Sequence, residues 1–457
     1  MAQGHVTAAR TAYEAALRLD PNQAAVHSNL ALLLDNADQF AAAEDHYRKA
    51  LTLAPDEAQT WVNFGAMLFQ HRHLTDAEAA LRKALALNPS EAIAVSALSN
   101  LGALLACAQR DDEAEACCRK ALAHNPEHRK AAFNLSYLLL KQGRFEEGWP
   151  MLEQREWYNL LEARMPCPRW QGEPLPGKSV LITFEAGHGD MIQFCRYATL
   201  VKAADAKRIA VLCHPALKAL FATLDGCDLA ISINENLPDS DFDFWVPPLS
   251  LPHHLPQPFG TRIDNIPARL PYLHADPQHI EKFSKPLETN TPKALKIGLV
   301  WKGSVNFEND AERSLPSLET LKPLFFTPNV HFFSLQKGQG ENEAMAASQG
   351  LGAFQGLEGR FTHLGNELND FADTAAVIAQ LDLVMAVDTA VAHLAGALNK
   401  PCWLLLPWYM ADWRWFKERS DSPWYPGAMR IFRQATMSDW EPVIAQVAKA
   451  LKELSRP

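Results

Sequence analysis

The residues best suited to chemistry lie in one segment near the C-terminus, VDTAVAHLAGALNKP at positions 387–401. It lies between two short apolar runs, and its own apolar residues recur at helical spacing, so we predict strand, helix and strand. Asp388 and Thr389 then mark the end of a parallel strand and the start of a helix, where free backbone N–H groups and the helix dipole attract an anion. His393 lies a little over one turn further along and could face the same crevice. The alternative is that Asp388 and Thr389 cap the helix and that His393 is a core residue.

A second candidate loop directly follows the apolar run SVLITF. Gly187 and Gly189 permit a tight turn in which the backbone approaches a ligand, and Asp190 opens the next helical stretch. Glu185 and His188 lie in the same loop, and a histidine titrates near neutrality. Because aspartate is also a common helix cap, Asp190 has a structural interpretation beside the chemical one.

The elements that must position these loops alternate between short β-compatible runs and helical stretches. This alternation predicts parallel sheets with right-handed crossovers. A Pro-rich stretch at 165–178 precedes the first α/β half, and a Pro- and His-rich stretch ends near residue 292. We therefore expect α/β domains at about 175–290 and 293–457.

A repeat occupies the preceding part of the chain. The phrases AALRLDP, KALTLAP, KALALNP and KALAHNP recur at spacings of 34, 34 and 37 residues. The period, together with W-x-x-F-G at 61–65, resembles the tetratricopeptide repeat. The resemblance implies helix pairs stacked into a solenoid over about residues 1–165, with a concave face that binds a peptide or partner protein.

Composition limits the remaining possibilities. A chain of 457 residues suggests roughly three domains. The net charge of −10 argues against nucleic acid or an anionic membrane as the main partner. The eight cysteines are scattered without a C-x-x-C pair, which is typical of a reduced, cytoplasmic chain without zinc. No apolar run approaches the ~20 residues of a membrane span.

Both candidate loops resemble segments of bacterial heptosyltransferase-like glycosyltransferases. The D-T-A-V-A-H-L-A sequence at 388–395 is similar to their D-[ST]-x-x-x-H-L-A segment, which holds the diphosphate and sugar of a nucleotide-sugar donor. The family usually has Gly where this chain has Ala390. The segment at 185–194 fits E-x-G-x-G-D-x-I-Q-F, a pattern found in TPR-linked bacterial relatives. In these enzymes the Asp, here Asp190, is the general base for the acceptor hydroxyl.

The resemblance implies an α + α/β chain: an N-terminal TPR α-solenoid followed by two Rossmann-like domains in a GT-B arrangement. The first Rossmann-like domain would hold the acceptor and the second the nucleotide-sugar. The implied reaction is an inverting transfer that needs neither a metal nor a cofactor, since a cationic residue and a helix end would stabilise the departing diphosphate. The residues assigned to the nucleotide-sugar are Asp388, Thr389, His393, Arg313, Lys302, Gln336 and Lys337.

The competing hypothesis is a TPR adaptor whose transferase domain is degenerate. His188 in the Gly-Asp loop and Ala390 in the donor segment favour it. The retained Asp190 and the retained Asp-Thr and His of the donor segment favour catalysis.

Two further segments leave alternatives. D-F-D at 241–243 has the form of a metal and nucleotide signature of another glycosyltransferase fold, but it runs into FWV and is interpreted as part of a short strand. The stretch 407–426 contains four tryptophans that suit either sugar stacking or a domain interface. Trp149 and Trp157 are expected to pack against the following domain rather than to bind sugar.

Overall fold

The computed structural model describes residues 2–155, 159–237, 242–255, 263–291 and 293–456. It contains two compact units, Met1–Leu138 and Leu139–Pro457. The unit boundary falls inside a helix, before the boundary near residue 165 that the repeat pattern predicts.

The first unit is a series of paired helices, as the 34-residue period predicts. Where the two helices of a pair touch, small residues allow close approach: a Cβ on Gly65 would lie 2.8 Å from Leu81 Cγ, and one on Gly102 would lie 2.6 Å from Cys118 Sγ. The helices are α1 (Ala2–Leu19), α2 (Ala24–Asp35), α3 (Phe40–Leu53), α4 (Ala58–Gln70), α5 (Leu74–Ala86), α6 (Glu91–Cys107), α7 (Asp111–His124) and α8 (Arg129–Lys141), the last of which crosses into the second unit. The longer third repeat is explained by α6, which has 17 residues where α4 has 13.

The second unit begins with the end of the repeat pattern. Helix α9 (Phe145–Leu152) belongs to it because its aromatic side chains are buried there. Trp149 packs edge-on against Trp413, with 5.5 Å between ring centroids, and against Phe194 at 6.2 Å. The expected packing of Trp149 is therefore present, whereas Trp157 lies outside the described residues. A short helix, α10 (Asn159–Glu162), follows.

The first α/β half is a four-stranded parallel sheet with the order β3-β2-β1-β4. Its strands are short and buried, as apolar runs without alternation predict. The elements are β1 (Ser179–Ile182), α11 (His188–Phe194), α12 (Ala198–Ala203), β2 (Arg208–Cys213), α13 (Lys218–Phe221), β3 (Leu229–Ser232), β4 (Phe244–Val246), α14 (Leu251–His254) and α15 (Pro277–Ser284).

The second α/β half is a six-stranded parallel sheet with the order β10-β9-β8-β5-β6-β7. Strand β5 lies between β6 and β8, so the loops that follow these three strands meet at one edge. The elements are β5 (Leu295–Val300), α16 (Asp310–Arg313), α17 (Lys322–Phe325), β6 (Val330–Ser334), α18 (Glu341–Ser348), β7 (Phe361–His363), α19 (Phe371–Ala379), β8 (Leu383–Val387), α20 (Ala390–Ala397), β9 (Cys402–Leu406), β10 (Met429–Arg433) and α21 (Glu441–Leu454).

The predicted fold class, a helical repeat followed by parallel-sheet α/β domains, is thus confirmed. The D-x-D segment leads into strand β4, as interpreted: Ser179 N–H donates to Asp243 Oδ2 at 2.8 Å and Lys178 pairs with Oδ1 at 3.0 Å, while Asp241 lies outside the described residues. All eight cysteines are free. In the described part of the chain, no helix combines the length and apolar character needed to cross a bilayer.

Candidate active site

The two loops that the sequence singled out meet in the structure. Helix α11 begins beside the start of α20, and a Cβ on Gly189 would lie 3.0 Å from His393 Cδ2 and 3.5 Å from Ala390 Cα. A side chain at position 189 would therefore crowd the other half of the unit, and glycine avoids this. The candidate base and the candidate anion site, about 200 residues apart in sequence, share one location.

Asp190 uses both of its carboxylate oxygens. Gly187 N–H donates to Oδ2 at 2.9 Å, which is the capping interaction that the sequence allowed. Oδ1 accepts a hydrogen bond from the Arg414 guanidinium and forms an ion pair with it. The Asp190 side chain is 26% exposed, so one side of the carboxylate remains open to solvent.

Arg414 is a site residue that the sequence reasoning missed. Its side chain is only 5% exposed, and Nη1 lies 2.9 Å from both oxygens of Asp412. The guanidinium lies over the rings of Trp413 at 4.6 Å and Phe194 at 5.3 Å. The signal was the aromatic and basic density of residues 407–426, in which one arginine stands between two tryptophans. Much of this segment is buried in the second unit, which favours the interface alternative for its tryptophans.

Asp388 lies directly after β8, as predicted, in a polar cluster. Its Oδ1 is 4.0 Å from His393 Nε2, and its backbone carbonyl accepts a hydrogen bond from Arg313 Nη1 at 3.1 Å. Burial, and then the negative charge of Asp412, raise the pKa of Asp388 to about 6, against the opposing positive charges of Arg313 and Arg414. The pKa of the Asp388 carboxyl therefore lies only about one unit below neutral pH.

Thr389 occupies the N-cap position of α20, but its side chain does not cap the helix. Its hydroxyl donates instead to the Val387 carbonyl at 3.2 Å. The first backbone N–H groups of α20 therefore receive no acceptor from the N-cap side chain, which is the arrangement that an anion site needs.

His393 is almost buried, with 6% exposed, and is held on two sides. Nδ1 lies 2.9 Å from the Tyr425 hydroxyl, and the ring stacks on Trp415 with 5.0 Å between centroids. Burial, followed by the charges of Arg414 and Arg196, lowers the pKa of His393 well below its usual value. The imidazole is therefore neutral at physiological pH.

Arg196 supports this part of the site from within the unit. It is 2% exposed, and Nη1 donates to the backbone carbonyls of Trp424 at 2.6 Å and Pro267 at 3.2 Å. Its guanidinium lies over the rings of Tyr272 at 4.6 Å and Tyr425 at 4.8 Å. Arg196 thereby fixes the tyrosine that contacts His393.

Of the predicted cationic residues, Arg313 lies closest to the donor segment. Its Nε donates to Asp310 Oδ1 at 3.1 Å, its guanidinium lies over the Phe307 ring at 4.1 Å, and Nη1 contacts the Asp388 carbonyl. Lys302 points its ammonium to the Pro316 carbonyl at 2.7 Å. Arg313 is thus better placed than Lys302, as the sequence reasoning preferred.

Gln336 and Lys337 follow β6, as predicted, but Gln336 is committed to the backbone. Its Oε1 accepts from the N–H groups of Trp301 and Lys302, each at 3.0 Å, and Nε2 donates to the Lys302 carbonyl at 3.1 Å. The side chain is 2% exposed and ties the end of β5 to the end of β6. Lys337 Nζ donates to the Leu368 carbonyl, so its ammonium also has a backbone partner. Direct contact of either residue with a nucleotide remains a prediction.

Glu185 is poorly placed to act as a reserve base. It is 3% exposed, Arg155 Nε lies 2.5 Å from its Oε1, and Leu249 N–H donates to its Oε2 at 3.4 Å. Burial raises the pKa of Glu185 against the opposing charge of Arg155. The pair anchors the start of the candidate loop.

His188, the other reserve candidate, lies between two rings. Its centroid is 4.7 Å from that of His214 and 5.3 Å from that of Phe371. Burial and then His214 lower the pKa of His188, so its imidazole is neutral at pH 7.

One group of possible metal ligands occurs among the described residues, at His279, Asp370 and Asp373. Lys282 Nζ lies 2.8 Å from both oxygens of Asp373, and Asp370 caps α19 by accepting from two backbone N–H groups. An ammonium already supplies the positive charge there, so we interpret the group as a structural ion pair between α15 and α19.

Comparisons with known proteins also separate an N-terminal region of helical repeats from a C-terminal α/β region. Residues 1–58 and 95–128 match tetratricopeptide repeat families, and residues 329–404 match glycosyltransferase family 9 (heptosyltransferase). The last match runs from β6 to β9 and includes the Asp388 segment. The chain thus carries tetratricopeptide repeats in its N-terminal part and a glycosyltransferase family 9 domain in its C-terminal part, which confirms both resemblances.

Among individual proteins, protein FlbA of Caulobacter vibrioides is 29% identical over 297 residues. These are 60% of this chain and 47% of FlbA, so the chain spans about half the length of that relative. Among solved structures, PilF of Pseudomonas aeruginosa is 22% identical over 33% of this chain and 68% of its own, with a TM-score of 0.32. The type IV pilus biogenesis factor PilW is 23% identical over 35% and 73%, also with a TM-score of 0.32.

Proposed function

We propose that this chain is a glycosyltransferase that moves a sugar from a nucleotide-sugar to a hydroxyl group of a protein or glycan, with inversion and without a divalent metal. The observation that carries the proposal is the contact of the Gly189 loop with the start of α20. It brings a carboxylate, a neutral imidazole and a helix N-terminus without a side-chain cap to one place. The family 9 match over the same helix supports it.

The diphosphate of the nucleotide would bind at the start of α20. Uncapped N–H groups and the helix dipole favour negative charge there. The Arg313 guanidinium, held against the Asp388 carbonyl, can pair two phosphate oxygens at once. In this scheme these fixed positive groups replace a metal ion in stabilising the leaving group. Neutral His393 would hold the sugar or its proximal phosphate by hydrogen bonding.

Asp190 would serve as the general base. It would accept the proton of the acceptor hydroxyl while that oxygen forms a bond to the anomeric carbon. The bond from the anomeric carbon to the phosphate oxygen breaks at the same time, and its electron pair leaves with the nucleoside diphosphate. Attack from the face opposite the leaving group inverts the anomeric configuration. The hydrogen bond from Gly187 would keep the carboxylate oriented.

The tetratricopeptide repeats would recruit the acceptor or a partner protein through a peptide-binding face. Eight free cysteines support a reducing compartment such as the cytoplasm. The alternative function is a TPR adaptor with an inactive transferase domain. The ion pair of Asp190 with Arg414 favours this alternative, because the guanidinium occupies a carboxylate oxygen that would have to accept the proton.

Titration calorimetry with a panel of nucleoside diphosphates and nucleotide-sugars in EDTA tests the proposal. We expect at least one to bind the wild type and to lose affinity for Asp388→Ala. The matched control is Asp382→Asn, because Asp382 is exposed just before β8 and asparagine keeps an oxygen for the Lys296 N–H. This variant should bind as the wild type does. Absence of binding by every ligand to the folded wild type would refute the enzyme proposal and favour the adaptor. Binding that requires a divalent metal would refute the metal-independent scheme.

A further inference from the structure

We propose that Arg414 couples the arrival of the nucleotide-sugar to the release of the base: the diphosphate takes the guanidinium from Asp190 and leaves that carboxylate free to accept a proton. This inference rests on the proposed function. It assigns a role to a residue outside both of the loops that the sequence singled out.

The first support is the arrangement of charges around the guanidinium. Arg414 is 5% exposed, whereas Asp190 is 26% and Asp412 is 29% exposed. The two carboxylates therefore border solvent while the cation lies behind them. A ligand that enters from solvent meets the carboxylates first and can compete with them for the same N–H groups.

The second support is the position of Arg414 beside the predicted diphosphate site. Its charge acts on both Asp388 and His393, the residues that border the start of α20. The following residue, Trp415, stacks directly on His393 at 5.0 Å. The guanidinium is thus within electrostatic reach of an anion at the helix end.

The third support is that Asp412 and Asp190, the carboxylate partners of Arg414 within the described residues, are not equivalent. Asp412 is three residues before Trp415 in a tight turn, and it also accepts the backbone N–H of Arg414 at 2.9 Å. Asp412 therefore fixes the side chain locally. Asp190 reaches Arg414 from another part of the chain and keeps the Gly187 N–H as an independent partner. Asp190 is the partner that can be exchanged without loss of the turn.

The chemical consequence follows from competition for one cation. A diphosphate carries more negative charge than a carboxylate, and its oxygens match a planar guanidinium. While Asp190 is paired with Arg414, its Oδ1 is occupied by the guanidinium, and when the pair is broken that oxygen is open to the hydrogen of an acceptor hydroxyl. The base is then activated only when the nucleotide-sugar is present, so the donor must bind before the proton is removed.

Calorimetric titration of nucleoside diphosphates and inorganic pyrophosphate into three variants tests the proposal. Asp190→Asn removes the competing charge but retains an oxygen for Gly187 N–H, so we expect diphosphate to bind about tenfold more tightly than to the wild type. Arg414→Lys keeps the charge but loses the paired geometry, and we expect binding to weaken by about tenfold. The matched control is Asp421→Asn, because Asp421 pairs with the exposed Arg419, and its affinity should equal that of the wild type.

The outcomes separate the two proposals. If the folded wild type binds no member of the panel, the glycosyltransferase proposal fails and this inference fails with it. If the wild type binds, but Asp190→Asn binds no more tightly, the competition is refuted and the proposed function stands. If Asp421→Asn also binds diphosphate more tightly than the wild type, the effect comes from net charge and the competition is refuted. If Arg414→Lys does not fold, the comparison of Asp190→Asn with Asp421→Asn still decides.

Discussion

Replacing Asp388 by asparagine should stabilise the unit of residues 139–457 while it abolishes nucleotide binding. The carboxyl is 17% exposed and lies near Asp412, and these surroundings raise its pKa from 3.8 to about 6. A neutral amide of similar shape avoids the cost of a buried charge. The same change removes a residue of the predicted donor segment.

The sign and size follow from proton linkage. Between pH 3.8 and about 6, the unfolded chain loses the proton of Asp388 while the folded chain keeps it. The free energy of unfolding therefore falls as the pH rises through this range, and the loss levels off at about pH 7, one unit above the pKa of the folded state. It amounts to about 3 kcal/mol at pH 7.5 and only about 1 kcal/mol at pH 4.5. The free energy of unfolding of Asp388→Asn should exceed that of the wild type by these amounts.

Urea unfolding followed by tryptophan fluorescence measures the effect. Trp61 is the only tryptophan before residue 139, so the signal reports mainly on the second unit. Asp382→Asn is the control, because Asp382 is exposed just before β8 and asparagine keeps an oxygen for the Lys296 N–H that donates to it. We expect no gain in that variant. An Asp388→Asn protein no more stable than the wild type at pH 7.5, or a gain that does not shrink at pH 4.5, would refute the reasoning.

Three further predictions concern other parts of the chain. Arg155→Met leaves the buried charge of Glu185 without the Arg155 cation. We expect the free energy of unfolding, measured in urea, to fall by about 3–5 kcal/mol. Stability equal to that of the wild type would contradict the structural role given to this pair. Gly189→Ala places a Cβ 3.0 Å from the buried His393 ring. We expect the free energy of unfolding to fall by about 1–3 kcal/mol and nucleotide binding, measured by calorimetry, to weaken. Unchanged binding would show that the two loops can separate freely. Burial and the neighbouring His27 lower the pKa of His46 from 6.5. The thermal stability of the Met1–Leu138 unit should therefore fall as the pH drops below 6.5, and it should fall less in His46→Gln. An identical pH response in that variant would contradict the assignment.

The sequence alone predicted features that depend on local spacing. The 34-residue period predicted the helix pairs because each pair buries the same positions, such as Gly65 against the next helix. Apolar runs predicted the parallel strands, and the segment around Asp388 has the predicted strand, helix and strand. The placement of Asp190 at a helix start also follows from short-range pattern.

Only the tertiary structure decided which charged groups pair. Glu185 was a reserve candidate for the base in the sequence, but folding buries it against Arg155, and Gln336 is used to join two strands. Arg414 belongs to no recognised motif, yet its guanidinium pairs with both Asp190 and the nearby Asp412. Local patterns are set by the periodicity of neighbouring residues, whereas ion pairs depend on which loops the chain topology brings within a few ångströms of each other.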